Sequence, residues 1–216
     1  MKNKKLIIGF IILSALVVSF FMSGNNKVIN LDDDTMSPPI EGSTGEGEKD
    51  KYLTDPVPQG KPEPVEWQDV TKDMDKEYTV TLSVTCQTVL NNMDLFNKDK
   101  LEVLPEDGII YPTSTVIFYE GESVFDVLLR EMKNNNIHME FAMTPIYNSH
   151  YIEGINNIYE FDCGELSGWM YKVNDWFPNY GASRYMLVDG DDIQWIYTCD
   201  LGRDIGGNMA IIGGEQ

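Results

Sequence analysis

The chain has 216 residues, 42% of them hydrophobic, and a formal net charge of −19 at pH 7. This length accommodates one ordinary domain with appendages, and this apolar content is sufficient for a buried core. The charge argues against nucleic acid as a partner, since a polyanion is bound by clustered Lys and Arg. Most of the excess acid follows residue 75. We interpret it as a solubilising surface, with attraction of a cation or basic partner as the less favoured alternative.

Residues 1–22 have the pattern of an export signal. Residues 1–5 are rich in lysine, and residues 6–21 carry no charge. The uncharged run is long for a signal-peptide core and slightly short for a membrane span. We expect an uncleaved signal anchor, with a cleaved signal peptide as the alternative. In both cases the remainder is exported, either anchored at the extracellular face of the membrane or secreted, and it meets the membrane through this segment only.

Residues 23–75 have the composition of a disordered acidic linker. They contain three consecutive aspartates at 32–34, a Gly-rich run at 41–47 and closely spaced prolines at 56–64. Few apolar side chains are available to offset the entropy lost on ordering. We therefore predict a linker over 23–75, a folded domain over 76–201 and a flexible Gly-rich tail over 202–216.

The first half of the predicted domain contains two strands and the best helix signal. Residues 78–86 alternate between apolar and polar, which predicts a half-buried strand, and residues 115–119 predict a second. Ser123 can cap a helix, Asp126 stands at the capping-box position, and the apolar stripe ends before Asn134. Two strands followed by a helix across them are the opening of a β-grasp domain.

The second half of the domain is predicted to be rich in short strands. Tight turns are expected at residues 174–175 and 189–190, where Asn, Asp and Gly follow apolar runs. The whole pattern predicts an α+β domain with a mixed sheet and one main helix. The predicted strands are residues 137–141, 151–155, 159–161, 168–173, 184–188 and 193–199.

The three cysteines fit an oxidising compartment. Cys86 and Cys199 each end a strand-like run, so they are the candidate disulfide if the two strands are neighbours. Cys163 would then be free or would pair between molecules. Three buried thiols without a bridge are the alternative.

The sequence contains no enzyme motif, so we do not expect the protein to be an enzyme. His138 and His150 have no second ligand at zinc spacing and are interpreted as surface residues. No phosphate loop, nucleophile elbow or distinct pair of catalytic carboxylates occurs. The aspartates at 189–192 are interpreted as a turn in preference to a weak calcium site. No catalytic residue, metal site or resident cofactor is predicted.

Aromatic side chains are the remaining functional signal. Trp169, Tyr171, Trp195 and Tyr197 alternate within strands, and one of these pairs is expected in the core. Aromatic residues in loops are either folded onto the core as a lid or exposed as a binding platform. The candidate ligand-binding residues in these loops are Tyr147, Trp176, Phe177 and Tyr180.

Four segments carry a resemblance to a known family. They are residues 120–128 (EGESVFDVL), 151–155 (YIEGI), 167–174 (SGWMYKVN) and 189–195 (DGDDIQW). In this order they resemble the transcobalamin-like C-terminal domain, a family of exported bacterial domains that is similar to the cobalamin-capping β-domain of transcobalamin and intrinsic factor. The resemblance covers about residues 78–200 and implies a β-grasp-like fold.

The resemblance also suggests a ligand, namely cobalamin or a related tetrapyrrole. In transcobalamin the ligand lies between a helical domain and this small β-domain, so a separate helical partner domain or a transporter would complete the site. The sequence therefore predicts a non-enzymatic ligand-binding module. The alternative is a surface interaction or adhesion module that binds protein or cell-wall glycan.

Overall fold

The computed structural model describes residues 49–207. The predicted signal segment, residues 23–48 of the predicted linker and residues 208–216 of the predicted tail lie outside the described residues. Between residues 49 and 207 no helix is long and apolar enough to cross a membrane.

The larger sheet has four strands in the order β2-β1-β7-β6. Its central pair, β1 and β7, is parallel, whereas β2 and β6 pair antiparallel at the two edges. The predicted mixed sheet is therefore confirmed. The strand bounds are β1 Asp73–Thr85, β2 Ile109–Glu120, β6 Gly168–Val173 and β7 Asp192–Thr198.

The smaller sheet has three antiparallel strands in the order β3-β4-β5. These are β3 Met139–Thr144, β4 Ser149–Ile155 and β5 Ile158–Tyr159. A single turn of 3₁₀ helix, Pro145–Tyr147, joins β3 to β4. Together with the larger sheet and few helices, this gives a small, β-rich, mixed α/β domain.

The main helix, α2, spans Val124–Asn134 and begins where the sequence predicted. Ser123 and Asp126 form a reciprocal capping box, which satisfies two of the backbone N–H groups exposed at a helix start. Val124, Leu128 and Met132 are buried, so the predicted stripe faces the core. A shorter helix, α1 Gln87–Leu90, follows β1.

The strand predicted at residues 184–188 does not form. Residues Ala182–Arg184 are a 3₁₀ turn, and only an isolated bridge between Ser123 and Met186 follows. The backbone groups of this segment bond to the start of α2, since Val124 N–H donates to the Tyr185 carbonyl. This satisfies a helix N-terminal donor in place of a strand ladder.

The four strand aromatics all lie in the core. Trp169, Tyr171, Trp195 and Tyr197 are each at most 8% exposed, so both predicted pairs are buried. Trp169 and Tyr197 meet edge to face at 5.2 Å between ring centroids. The turn that follows β6 is tight, with positive φ at Asn174 and Asp175, as the predicted two-residue hairpin turn requires.

Residues 49–66, predicted to belong to the linker, lie against the domain, and we call them the strap. Val65 N–H donates to the Arg184 carbonyl at 2.9 Å, and the Tyr180 hydroxyl donates to the Pro62 carbonyl at 2.7 Å. β1 then begins at Asp73, before the predicted boundary at residue 76. The structured region therefore extends to at least residue 49.

The structure does not form the predicted bridge between Cys86 and Cys199. β1 and β7 are neighbours as anticipated, but Thr85 lies opposite Ile196, so the register places Cys86 two residues short of Cys199. All three cysteines are free and buried, and the Cys163 thiol donates to the Asn92 carbonyl at 3.6 Å between sulfur and oxygen. Burial raises the pKa of Cys86 to about 12, which keeps this thiol protonated at neutral pH.

Candidate functional site

A cavity of about 290 Å³ opens between the strap and the smaller sheet. The strap forms one wall, and the β3–β4 turn with the start of β4 forms the second. The third wall is the loop between β6 and the 3₁₀ turn at Ala182. Its lining includes four tyrosines and consists of Tyr52, Leu53, Thr54, Thr144, Tyr147, Ser149, His150, Tyr151, Met170, Pro178, Asn179, Tyr180, Gly181 and Arg184.

The loop at residues 178–181 is held against both sheets. The Tyr171 hydroxyl, buried in the larger sheet, donates to the Tyr180 carbonyl at 2.8 Å. On the other side, a Cβ at Gly181 would lie 2.1 Å from Ser149 Oγ. Only glycine permits this close approach to β4. The loop wall of the cavity is therefore fixed in place.

The β3–β4 turn exposes its apolar side chains. Asn148 ends the turn in the left-handed region at φ 48°, and its buried side chain bonds to Glu66 and Gln68. Asn is among the residues that accept this conformation at low cost. Tyr147 and Ile146 remain 52% and 56% exposed. The turn is anchored at its base and open at its tip.

Arg184 fastens the strap from beneath the cavity. Its Nη1 donates to Thr54 Oγ1 at 2.6 Å, and its Nη2 donates to Asp50 at 2.5 Å and Glu66 at 2.8 Å. The Arg184 side chain is only 1% exposed, so these bonds compensate for its desolvation. The guanidinium also lies over the Tyr52 ring, 5.1 Å from its centroid.

Two buried polar atoms of the cavity lining have no hydrogen-bond partner. They are Arg184 Nε, a donor, and Asn179 Oδ1, an acceptor. A third such atom between residues 49 and 207, Trp195 Nε1, belongs to the core of the larger sheet, and Trp195 is not part of the lining. All three atoms have almost no accessible surface, so the missing bonds belong to the packed interior and not to the open space of the cavity.

His150 lies in β4 among aromatic rings and not in a polar surface loop. Its ring stacks on Phe125 with 4.2 Å between centroids and meets Phe141 edge to face. Burial lowers the pKa of His150, and the Asp126 carboxylate partly offsets this, so the imidazole is neutral at pH 7. Its Nδ1 contacts Ser183 Oγ at 2.9 Å. The alternation of residues 149–155 is the signal that could have placed His150 on a strand.

His138, by contrast, is exposed next to β3, as predicted.

The structure brings together two of the four predicted site residues. Tyr147 and Tyr180 line the cavity, whereas Trp176 and Phe177 do not. Trp176 is half-buried, packs against Tyr180 at 6.0 Å between centroids, and lies under the ammonium group of Lys61. This arrangement matches the lid interpretation of that loop.

Phe177 is also half-buried, and it lies beside Gly207.

A second cavity of about 320 Å³ adjoins the first, since Tyr151 and Met170 line both. Its lining includes Phe161, which is 62% exposed and has φ 67°. Positive φ is a backbone outlier for a bulky aromatic residue, and such outliers concentrate at functional sites. Sequence reasoning did not single out Phe161, because nothing local marks its backbone conformation.

Within residues 49–207, no group of three or more His, Cys, Asp or Glu side chains could hold a metal ion. Asp191 is buried and accepts from Val188 N–H and Asn174 Nδ2, so it stabilises the turn at residues 189–190.

A family model described as a domain of unknown function (DUF4430) matches residues 121–198. No curated protein matches the sequence. Among solved structures, haptocorrin in complex with Cbi is similar, with 14% identity and a TM-score of 0.43 over 60% of this chain. The match covers 27% of the haptocorrin chain, so this chain spans about a quarter of its length.

A protein from Ruminococcus gnavus that is provisionally described as metal-binding is similar, with 15% identity and a TM-score of 0.33. The match covers 56% of this chain and 96% of that one. The region from the turn before α2 to the end of β7, which includes most of the cavity wall, is thus the part that resembles the DUF4430 family.

Proposed function

We propose that this protein is an exported, non-enzymatic module that binds a small ligand in the cavity under the strap. The observation that carries the proposal is the cavity itself, which four tyrosine side chains line together with a few polar ones, such as Thr144 and Ser149. Apolar clefts with a few convergent polar groups are the usual form of ligand sites. The module is anchored at the cell surface or secreted, and it meets the membrane through its N-terminal segment.

The cavity volume restricts what can enter. At about 290 Å³ it lies at the lower end of the range for drug-sized ligands, roughly 300–1,000 Å³. Cobalamin, which the sequence motifs suggest, is larger than such ligands, so only a peripheral group of it would enter. The remainder would lie over the adjoining cavity, against Tyr151, Met170 and the exposed ring of Phe161. A separate helical domain or a transporter would cover the outer face of the ligand.

The proposed fold is the β-grasp. The strand order β2-β1-β7-β6, with a parallel central pair, supports it. So does the position of α2, which follows the first antiparallel pair along the chain.

The side chains near the cavity support a binding role and not a catalytic one. His150 and Ser183 are within hydrogen-bond reach, the arrangement of a base and a nucleophile. Ser183 is however 2% exposed, and its Oγ also accepts from the His150 backbone N–H. A nucleophile must be reachable by substrate, so we assign this pair to packing. We propose no resident cofactor.

A surface interaction or adhesion role is the second candidate. The observation that favours it is the exposed apolar tip formed by Met143, Ile146 and Tyr147, beside the edge strand β3. Edge strands and exposed apolar residues are common in protein interfaces, and aromatic residues also bind glycans. This role would use the outside of the turn and leave the cavity empty.

The test is calorimetry on the full-length protein with cobalamin and cobinamide at concentrations up to about millimolar. We expect saturable binding that the substitution Thr144→Trp abolishes, since an indole at this lining position fills the cavity. Thr115→Trp, on the exposed face of β2, is the matched control and should bind as the wild type does. Absence of binding by the wild type, with or without a helical partner, would exclude the tetrapyrrole ligand. Binding that survives Thr144→Trp would place the site elsewhere.

A further inference from the structure

A groove of about 460 Å³ lies on the face of the larger sheet that points away from the core, and we call it the sheet groove. Its floor includes Ser83, Thr85, Gln194 and Ile196, and it shares no lining residue with the strap cavity. We infer that the sheet groove binds a neutral oligosaccharide. This inference concerns a second site and does not depend on the ligand proposed for the strap cavity.

The floor of the sheet groove is built by two neighbouring central strands. Ser83 and Thr85 alternate with the buried residues of β1, so their side chains point to the opposite face of the sheet. The parallel register of β1 and β7 places Ser83 beside Gln194 and Thr85 beside Ile196. Gln87, at the start of α1, adds an amide to the lining. The strand alternation therefore brings hydroxyl and amide groups together on one surface.

The Ser83 hydroxyl is unpaired and reaches the groove. Ser83 is 8% exposed, and its Oγ has no hydrogen-bond partner between residues 49 and 207. This atom is not among the three unpaired side-chain atoms that are sealed in that part of the chain, so the surface that Ser83 retains includes its oxygen. A nine-tenths buried hydroxyl that opens only into a groove is placed to bond a molecule lying there.

The neighbouring polar groups of the floor are also available. The side chains of Thr85 and Gln87 have no hydrogen bond to any other group between residues 49 and 207, and both keep accessible surface. Gln194 donates through Nε2 to Asp192 at 2.6 Å, which leaves its Oε1 free to accept. The floor therefore offers several donors and acceptors that the fold itself does not use.

The sheet groove contains no charge. None of its eleven lining residues is acidic or basic, although the chain has a formal net charge of −19. A phosphate, carboxylate or ammonium group that enters a groove without a countercharge loses hydration and gains no ion pair in return. The ligand that fits this lining is therefore neutral.

The lining matches the two kinds of surface that a sugar presents. Seven of the eleven lining residues have hydrogen-bonding side chains, and four, including Ile196 and Ile205, are apolar. A sugar ring carries hydroxyl groups around its rim and C–H groups on its faces. Ser and Thr hydroxyls both donate and accept, and amides offer one atom for each, so they can pair with sugar hydroxyls. The volume lies within the range of small-ligand sites, roughly 300–1,000 Å³.

An extended peptide would fit this surface less well. Peptide strands are usually held by the unpaired backbone groups at the edge of a sheet. In the larger sheet β1 lies between β2 and β7, and β7 lies between β1 and β6, so both strands of the floor have neighbours on each side. The floor thus presents side chains and no free backbone ladder.

The experiment titrates the full-length protein with five probes and follows its amide signals by NMR. Triacetylchitotriose and cellotriose are the neutral sugars, chitosan trisaccharide is cationic, trigalacturonate is anionic, and a capped hexapeptide of alternating serine and valine represents a protein partner. We expect at least one neutral trisaccharide to saturate the protein at about millimolar concentration, with shifts at Ser83, Thr85 and Gln194. Both charged sugars should bind at least about tenfold more weakly.

Two substitutions remove single polar groups while keeping the shape of the floor. Thr85→Val replaces a hydroxyl by a methyl group, and Gln87→Met keeps the chain length but removes the amide. Each should weaken binding of the neutral trisaccharide about fivefold, since one neutral hydrogen bond is lost. Thr115→Val, at an exposed threonine of β2 outside the lining, is the matched control and should bind as the wild type does. Unchanged thermal unfolding checks that each variant is folded.

The outcomes separate this site from the strap cavity. No binding of either neutral trisaccharide up to about 20 mM would overturn the inference. A preference for a charged sugar or the hexapeptide, or binding that both floor variants leave unchanged, would also overturn it. So would loss of trisaccharide binding in Thr144→Trp, which would place the sugar in the strap cavity. Trisaccharide binding without cobinamide binding would support this inference and reject the ligand proposed for the cavity.

Discussion

The larger sheet and the strap cavity both use aromatic residues, but in opposite states. In the sheet, Trp169 Nε1 donates to the Ile158 carbonyl and the Tyr197 hydroxyl to the Tyr159 carbonyl, and both rings are buried. At the cavity, Tyr147 and Tyr151 are about half exposed. A paired and buried aromatic residue serves the fold, whereas an exposed one that lines a cavity is available to a ligand.

The largest change that would test this comparison between sheet and cavity is a loss of stability when a sheet aromatic residue is replaced. Trp169→Ala removes a buried indole and its hydrogen bond, so we expect a loss of about 3–5 kcal/mol in the free energy of unfolding. Urea unfolding followed by circular dichroism measures it. Leu166→Ala, an exposed apolar neighbour in the chain, is the control and should cost about 0.5 kcal/mol or less. Equal stability of the two variants would remove the distinction between sheet and surface.

The second effect concerns attachment of the strap and depends on pH. Burial of Asp50 raises its pKa, but hydrogen bonds from Arg184 and from the backbone of Thr54 and Tyr52 outweigh this, and the net shift is downward. A carboxylate with a lowered pKa stabilises the folded state above its ordinary pKa, and this contribution is lost as pH falls through the lowered value. We expect the strap to stay attached at neutral pH and to loosen as the pH falls below about 4.

Hydrogen exchange of residues 50–66, measured from pH 7 to pH 3 and corrected for the intrinsic rate, tests this. Asp50→Asn should weaken protection at neutral pH and flatten its pH dependence. Asp200→Asn, which removes an exposed partner of Arg203, is the control and should leave strap protection unchanged. Protection of the wild-type strap that is constant down to pH 3 would contradict the role of Asp50.

Local signals were sufficient for most of the fold. The start of α2 follows from Ser123 and Asp126, and the β6 turn follows from Asn174 and Asp175, because capping and turn preferences involve residues near in sequence. Strand pairing was harder to predict from the sequence. The segment at residues 184–188 looked like a strand, but its hydrogen bonds go to the helix start, a partner about sixty residues earlier in the chain.

The strap could not be predicted from composition. Its prolines and acidic residues are typical of a linker, and what holds it is Arg184, which lies 134 residues from Asp50 and 118 from Glu66. Since one buried guanidinium pairs with two of these acids, the charge that suggested disorder is part of the attachment. The same distance in sequence hid most of the cavity, because its walls come from three separate segments.

The candidate site was only partly predictable, because its residues also come together from distant parts of the sequence. Loop aromatics were a valid signal, but sequence alone does not say which of them are covered. Tyr147 and Tyr180 line the cavity, while Trp176 is packed against Tyr180 and Tyr185 on the other side of the loop. Arg184 carries no local signal, because what marks it is its pairing with strap residues that are far from it in the sequence.

The smallest effect on stability is expected at the β3–β4 turn. Substitutions there also test most directly whether the ligand lies in the cavity. Tyr147 and Ile146 are adjacent and similarly exposed, yet only Tyr147 lines the cavity. Either substitution to Ala should change the free energy of unfolding by about 0.5 kcal/mol or less, because little contact is lost. Tyr147→Ala should weaken cobinamide binding about fivefold, since one aromatic wall is removed, whereas Ile146→Ala should leave it unchanged.

Calorimetric titration of both variants with cobinamide makes this comparison. A titration with a protein or glycan that binds the outside of the turn should give the opposite pattern. If the tip of the turn is an adhesion surface, Ile146→Ala should impair binding of that partner as much as Tyr147→Ala does, because both side chains are exposed. Selective loss at Tyr147 is therefore expected only for a ligand inside the cavity. Equal losses at the two positions would move the function from the cavity to the outside of the turn.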